Sequence, residues 1–212
     1  MNRFLSLYGK RLLTAIVTHF FYVSVSVLIA FAIALLLGIM LSRMPKMARF
    51  MIPVMSLFQT IPGIVFIGTL FLYLGMRPIT VITALSIYAV FPILKNTYVG
   101  LIEVPDQFIS AAKGCGMSPL QILARVEIPL ALPSIITGVR MSTVYTVSWT
   151  VLTAMIGLGG LGELIFAGVT SNNNALILAG ALPAAFMAIM FSQIIDLVKK
   201  LLIPKQIRRD IK

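Results

Sequence analysis

The chain has 212 residues, of which 59% are hydrophobic and only 11% charged, and its formal net charge is +11. A water-soluble domain carries roughly 25% charged residues, so the composition excludes a soluble globular protein and indicates an integral membrane protein. One cysteine excludes an internal disulfide framework and a thiolate zinc site, and the length leaves room for one bundle and no further soluble domain, so residues 1–212 read as a single transmembrane domain.

About 20 apolar residues cross the hydrocarbon core, and five stretches are long enough. The first is His19–Leu41. Ala30-Phe31-Ala32 inside it looks like a signal-peptide cleavage site, but the apolar run continues past it to Leu41, which argues against cleavage. The second, Met51–Leu74, carries Pro53 and Pro62, and the third, Pro78–Thr97, carries Pro92, so kinks are expected there. A polar segment over 103–129 follows, in which two short helices flank a glycine turn. Asp106 is placed to cap the first, where Phe108, Ala111, Ala112 and Cys115 share one face. Ser118 caps the second, with Pro119 at its first position and Gln121 completing a capping box. A helix with a small-residue face lying outside the membrane is suited to docking into a groove on another protein. The last two spans are Leu130–Ile156 and Leu176–Leu197.

The basic residues set the orientation. Arg43, Lys46 and Arg49 follow the first span, Lys95, Lys113 and Arg125 attend the loop after the third, and Lys199, Lys200, Lys205, Arg208, Arg209 and Lys212 lie in the tail. Together they make 12 of the 17 Lys and Arg residues, and they must share the cytoplasmic side. The opposite loops hold only Arg77 and Glu163, and five spans then put the N-terminus outside, against the preference of Arg3, Lys10 and Arg11. Either Thr153–Val169 adds a sixth crossing or the N-terminal segment is an interfacial helix on the outer face. The glycines 157, 159, 160, 162 and 168 make the sixth crossing poor, so five spans are preferred. The basic residues sit in short loops and the tail, as orientation and anionic lipid require, and without a basic face carrying interleaved aromatics nucleic acid is not an expected partner.

No catalytic constellation stands out. His19, the only histidine, reads as a satisfied interfacial side chain rather than a metal ligand, and no metal site is expected. Asp196 has Lys199 and Lys200 three and four residues on, as in a helix-end ion pair. Arg140, about two turns into the fourth span, is read as snorkelling to the cytoplasmic interface, with pairing inside the bundle or facing a translocation path as the alternatives. No paired mid-membrane carboxylates suggest a proton-coupled carrier. No G-x-x-x-x-G-K-[ST] is present to hold nucleotide phosphates, so if ATP drives this protein another subunit binds it.

The segment Ser110-Ala111-Ala112, with Gly116 four positions after the second alanine and then nine intervening residues before Val126-x-Ile128-Pro129, resembles the EAA loop of ABC-importer permeases, with Ser110 where that motif has Glu. Leu57-Phe58-Gln59-Thr60-Ile61-Pro62-Gly63 is similar to the F-x-Q-T-I-P segment of the glycine betaine, carnitine and choline permeases of the osmoprotectant-uptake (Opu/ProW-like) branch. Phe91-Pro92-Ile93-Leu94-Lys95-Asn96-Thr97-Tyr98-Val99-Gly100 resembles their P-I-L-[RK]-N-T-Y-x-G signature, and Ile156-Gly157-Leu158-Gly159-Gly160-Leu161-Gly162 their I-G-x-G-G-L-G element.

This resemblance implies an all-α, type I (MetI-like) permease fold of about five transmembrane helices with a cytoplasmic coupling-helix loop, in the plasma membrane of a bacterium with the C-terminus cytoplasmic. It implies a transport subunit rather than an enzyme, with no cofactor of its own and with ATP and Mg on a cytoplasmic ATP-binding subunit. A second permease subunit, identical or homologous, and an extracytoplasmic solute-binding protein would complete the machine. Ser110, Ala111, Ala112, Gly116, Met117, Ser118 and Pro119 would form the ATPase-coupling loop. Gln59, Asn96, Tyr145 and Trp149 are candidates for the translocation path, and Glu163 for contact with the binding protein. The implied cargo is a quaternary-amine osmoprotectant, and the same machine carrying an amino acid such as methionine, ergothioneine or a bile-related solute is the near alternative. A membrane-embedded enzyme, a self-sufficient carrier or a non-transporting scaffold are the alternatives of a different class.

Overall fold

The computed structural model describes residues 2–154 and 157–203. The end of the fourth expected span at Ile156, and the tail residues Lys205, Arg208, Arg209 and Lys212 with the side assigned to them, lie outside the described residues. Among those described there is no strand. The helices in chain order are α1 (Asn2–Arg43), α2 (Pro45–Phe58), α3 (Gly63–Leu74), α4 (Pro78–Ile102), α5 (Asp106–Gly114), α6 (Pro119–Ile122), α7 (Ile128–Thr153), α8 (Leu161–Thr170) and α9 (Asn174–Leu202), with a π-helical turn over Leu123–Glu127 between α6 and α7.

The surface is apolar, and the largely apolar interior carries a run of buried hydroxyls. Leu28, Leu36, Leu72, Leu182, Phe186 and Leu197 face outward. Ser142, Thr143, Thr146, Thr150 and Thr153 are buried along α7. Most of these hydroxyls donate to a carbonyl one turn back in their own helix, such as Thr143 to Val139 and Thr150 to Thr146, both at 2.7 Å. Where no water competes, that is how a hydroxyl is satisfied without interrupting the helix. The centre of the bundle is α4, packed against α1 on one side and α7 on the other. Small residues on α1, Ala30 and Ala34, allow the backbones to approach, and they are buried with Ala89, Val90 and Ile93 of α4.

The first helix is the largest departure from the sequence reading. It runs unbroken for 42 residues, about 63 Å along its axis, roughly twice the hydrocarbon thickness. The segment expected to lie flat as an interfacial helix is instead the first part of this helix. Its N-terminal turns are held by an ion pair, Arg11 Nη2 to Glu163 Oε1 at 2.6 Å, at the end where α7 passes into α8. Its C-terminal residue, Arg43, pairs with Glu127 at the opposite end, where α7 begins. The N-terminus and the segment over 103–129 therefore lie at opposite ends of the bundle. Thr153–Val169 does not cross: its helical part, α8, is 10 residues long, about 15 Å, and packs back on α9.

The second expected span is broken. α2 runs straight through Pro53, the chain leaves helical conformation over Gln59–Pro62, and α3 departs at 91° to α2. α2 starts at the Arg43 end and α4 at the other, so the bent pair carries the chain across. α4 continues through Pro92, which leaves the carbonyl of Tyr88, four residues earlier, without its N–H partner.

Candidate functional site

The segment over 103–129 is built as an exposed helical hairpin. Pro105, not Asp106, occupies the cap position of α5; Asp106 is the first residue of the helix, where its carboxylate complements the dipole. α5 ends at Gly114, and the chain reverses through Gly116, whose φ of +75° only glycine adopts without strain. Ser118 then caps α6 with the full capping box: its backbone N–H donates to Gln121 Oε1 at 2.8 Å and its Oγ accepts from the Gln121 N–H at 3.4 Å. Pro119 takes the first helical position. Phe108, Ser110, Ala111, Cys115, Gly116, Ser118 and Pro119 are exposed, Met117 is half-buried, and Leu120 is 74% exposed. Ala112 turns inward and is buried, so the expected four-residue face is presented outward by Phe108, Ala111 and Cys115 only.

This hairpin is not a loose loop. α6, the π turn and α7 run on as one helix, Pro119–Thr153, 35 residues long. The wider π turn has a local cause. Pro129 lacks an N–H and its ring would press on the carbonyl of Arg125, and the looser i→i+5 winding just before it makes room. Glu127, on the π turn, is buried with its side chain only 5% exposed. Both its oxygens accept from Arg43, Oε1 from Nη1 at 3.0 Å and Oε2 from Nη2, so the end of α1 is clamped to the base of the hairpin.

The second constellation lies where the middle of α4 meets the C-terminal half of α7. Pro92 cannot donate to the carbonyl of Tyr88, four residues earlier. Gln59, in the break between α2 and α3, donates to that carbonyl through Nε2 at 2.9 Å. The next carbonyl, Ala89, accepts from Ser142 Oγ at 2.8 Å. In return the Tyr88 hydroxyl donates to Ile61 O in the break at 2.9 Å. Tyr88 lies against Trp149 at a tilt of 38° with ring centres 3.9 Å apart and meets Phe58 and Phe66 at 5.6 and 5.1 Å. Gly63 opens α3 directly against the indole, where any Cβ would overlap the Trp149 ring. A narrow cleft of about 20 Å³, room for about one water, is lined by Gln59, Tyr88, Ser142, Tyr145, Thr146 and Trp149 together with Leu85, Ala89 and Pro92.

Three of the four path candidates, Gln59, Tyr145 and Trp149, therefore share one cavity. Asn96 does not line it; its Nδ2 donates to Pro92 O at 2.8 Å within its own helix. Glu163 lies in the first turn of α8 with its carboxylate engaged by Arg11. Three single-residue expectations change. His19 is not interfacial but fully buried: its Nδ1 accepts from the Leu161 N–H at 3.4 Å, and its Nε2 lies 3.2 Å from Val147 O, which selects the tautomer with hydrogen on Nε2. Arg140, its side chain half exposed, is tied to α9, donating from Nε to Ser192 Oγ at 2.7 Å and lying 3.5 Å from Asp196. Asp196 is thus Arg140's partner, and Lys199 reaches Thr137 Oγ1 at 3.4 Å. Asn173 caps α9, its Oδ1 accepting from the N–H of Ala175 at 3.0 Å. Among the described residues no group of three or more His, Cys, Asp or Glu is placed to hold a metal ion.

Residues 34–208 match the family model described as a binding-protein-dependent transport system inner membrane component. The chain belongs to this family of permeases. The permease is 38% identical to the carnitine transport permease protein OpuCB of Listeria monocytogenes, over 94% of this chain and 92% of that one. It is 34% identical to the choline transport system permease protein OpuBB of Bacillus subtilis, over 98% of this chain and 95% of that one. Its backbone superposes on a chain of the inward-facing MetNI methionine ABC transporter with a TM-score of 0.82, covering 92% of the permease and 98% of that chain at 20% identity. The fold is accordingly that of a MetI-like type I importer permease.

Two features of the permease escaped the sequence reading, and each left a trace. Tyr88 lies four residues before Pro92, the position whose carbonyl a helical proline frees. The Arg43–Glu127 clamp joins residues 84 apart, and no local spacing announces it. Its only trace is an acidic residue beside a proline at the mouth of an apolar span.

Proposed function

We propose that this permease is the membrane-spanning subunit of an ATP-driven importer for a quaternary-amine osmoprotectant such as glycine betaine, carnitine or choline. One observation carries the importer reading: an exposed hairpin, α5–Gly116–α6, continues without interruption into a spanning helix. Such a hairpin delivers a push received outside the membrane to the middle of the bundle. The cargo is inferred from the relatives named for carnitine and choline transport.

In this reading Phe108, Ala111, Cys115 and Leu120 seat in a cleft of a cytoplasmic ATP-binding subunit that carries ATP and Mg. Arg43, Lys46, Arg49, Lys113 and Arg125 at the hairpin end put that end in the cytoplasm of a bacterial cell, and the N-terminus and Glu163 outside. The tail after α9 is cytoplasmic. A second permease, identical or homologous, faces the cavity at Tyr145 and Trp149, and the path runs between the two. An extracytoplasmic binding protein docks at the end that carries Glu163. Closure of the ATP-binding subunits drives the hairpins, and the Arg43–Glu127 clamp makes α1 follow α7.

The test is ATP-dependent uptake by the permease reconstituted in proteoliposomes with its ATP-binding and solute-binding partners. Uptake of labelled glycine betaine, carnitine or choline is the expected result. Uptake of methionine alone would overturn the cargo and keep the machine. An assembled complex that moves none of these solutes would overturn the cargo assignment, and failure to assemble would overturn the importer reading.

A further inference from the structure

We propose that Pro92 and Gln59 are positioning residues of the transport path: together with Tyr88 they make the α2–α3 break a fixed joint rather than a hinge. The joint is read from the fold alone, and its role in the path rests on the importer reading above.

The proline sets the arrangement up. In an unbroken helix the N–H of residue 92 would hold the Tyr88 carbonyl. Pro92 withholds that donor and presses the carbonyl away from its helix. Tyr88 is only 6% exposed, so bulk water does not replace the donor, and a bare carbonyl among hydrocarbon is costly. Gln59 supplies the missing hydrogen, with Nε2 2.9 Å away. A second bond runs the other way, from the Tyr88 hydroxyl to Ile61 O at 2.9 Å. The two bonds leave opposite ends of one residue and land on either side of Thr60. One bond would leave a pivot; two fix a direction.

Packing closes the joint. The Tyr88 ring meets Phe58, the last residue of α2, and Phe66, in the first turn of α3, and those two rings meet edge to face at 5.1 Å. Gly63 at the root of α3 lies against Trp149 of α7. α3 is thereby fastened to α4 and α7 where it leaves α2 at 91°.

The joint also unites two segments that the sequence resemblance singled out. Gln59 lies in residues 57–63 and Pro92 in residues 91–100, and the Tyr88 carbonyl is where they meet. These two residues therefore serve the shape of the wall rather than contact with the cargo. In the path, α3, α4 and the C-terminal half of α7 move as one body, and motion driven through the hairpin is taken up outside it.

Spin labels on Phe50→Cys in α2 and Leu72→Cys in α3, both strongly exposed positions, read the angle in a Cys115→Ser background. Arms of about 12 and 14 Å at 91° set the labelled backbones roughly 20 Å apart. The full chain, mixed with an excess of unlabelled Cys115→Ser chain, is measured in lipid nanodiscs by pulsed electron–electron double resonance. A single narrow distance distribution is expected, and Tyr88→Phe should roughly double its width. Pro92→Ala should broaden it as much, because the new N–H draws the carbonyl back into α4 and away from Gln59. Gln59→Met leaves that carbonyl bare and should lower the thermal stability; adding Pro92→Ala should restore the stability but not the narrow distribution. Ordinary helix packing predicts no such split, since removing a proline from α4 would then tighten both. Pro92→Ala keeps the Tyr88 carbonyl satisfied, so it carries the test even if Gln59→Met does not fold. A broad distribution in the unsubstituted chain would make the break a hinge and overturn the proposal. A distribution left narrow by Pro92→Ala or by Tyr88→Phe would overturn it as well. Failure of the importer reading is seen separately, as absence of ATP-dependent uptake by the unsubstituted complex.

Discussion

Glu127 offers the sharpest test of how the hairpin is tied to the rest of the bundle. Its carboxylate is almost fully buried and takes both terminal nitrogens of Arg43, whose side chain is 50% exposed. A hydrogen bond to a charged group contributes about 1.5–3 kcal/mol, and breaking a fully buried pair costs about 3–5 kcal/mol. Arg43 is half in solvent and rehydrates when released, so the lower part of each range applies. Glu127→Gln, which keeps one acceptor and turns a donor toward a donor, is expected to destabilise by about 1–2 kcal/mol, and Glu127→Ala by about 2–3 kcal/mol. Reversible unfolding of the purified chain by SDS in mixed micelles, followed by circular dichroism, gives both values. A double-mutant cycle with Arg43→Ala should return a coupling of about 1–2 kcal/mol. Additivity within about 0.3 kcal/mol would refute the clamp. Because the pair joins α1 to the helix that continues the hairpin, Glu127→Gln should also lower the solute moved per ATP hydrolysed.

Two further expectations concern the hairpin and the ends of the bundle. Gly116→Asp forces a side chain into a φ of +75° at the tip of the exposed turn, at a local cost of about 1–2 kcal/mol; uptake should be lost while membrane insertion, measured by fractionation, is retained. Cys115, exposed and the only cysteine, should react with a membrane-impermeant maleimide only after cells are permeabilised, whereas Lys10→Cys in a Cys115→Ser background should react in intact cells. The reverse pattern would invert the topology.

What the sequence disclosed, and what it withheld, follows the range of each interaction. The capping box at Ser118 and the glycine at the turn are local, and both stand where the sequence puts them. Pro62 and Gly63 announce a break, but its 91° angle depends on Trp149, which fills the space where a Cβ would be, and on Tyr88 bonding to Ile61. The start of α1 was hidden because Arg3, Lys10 and Arg11 dilute the apolar signal, although a helix outside the hydrocarbon needs none. Its partner there, Glu163, is 152 residues away. Asp196 shows the limit of the i, i+4 rule: it has lysines at helical spacing and takes Arg140 of another helix, since within the bundle geometry between helices decides.

The unbroken helix from Pro119 to Thr153 has a mechanical consequence. At 35 residues it is a lever about 53 Å long, with its short arm outside the membrane and its long arm beside the cavity. A tilt of about 5° about the π turn would swing the far end, about 42 Å away, through about 4 Å while the docking end moves about 1 Å. The π turn sits near the fulcrum, where the winding is loosest and the Arg43 clamp is attached. An ATP-binding partner would therefore need to move the hairpin only slightly to reshape the mouth of the pathway, and stiffness at the fulcrum would set how much of that stroke arrives.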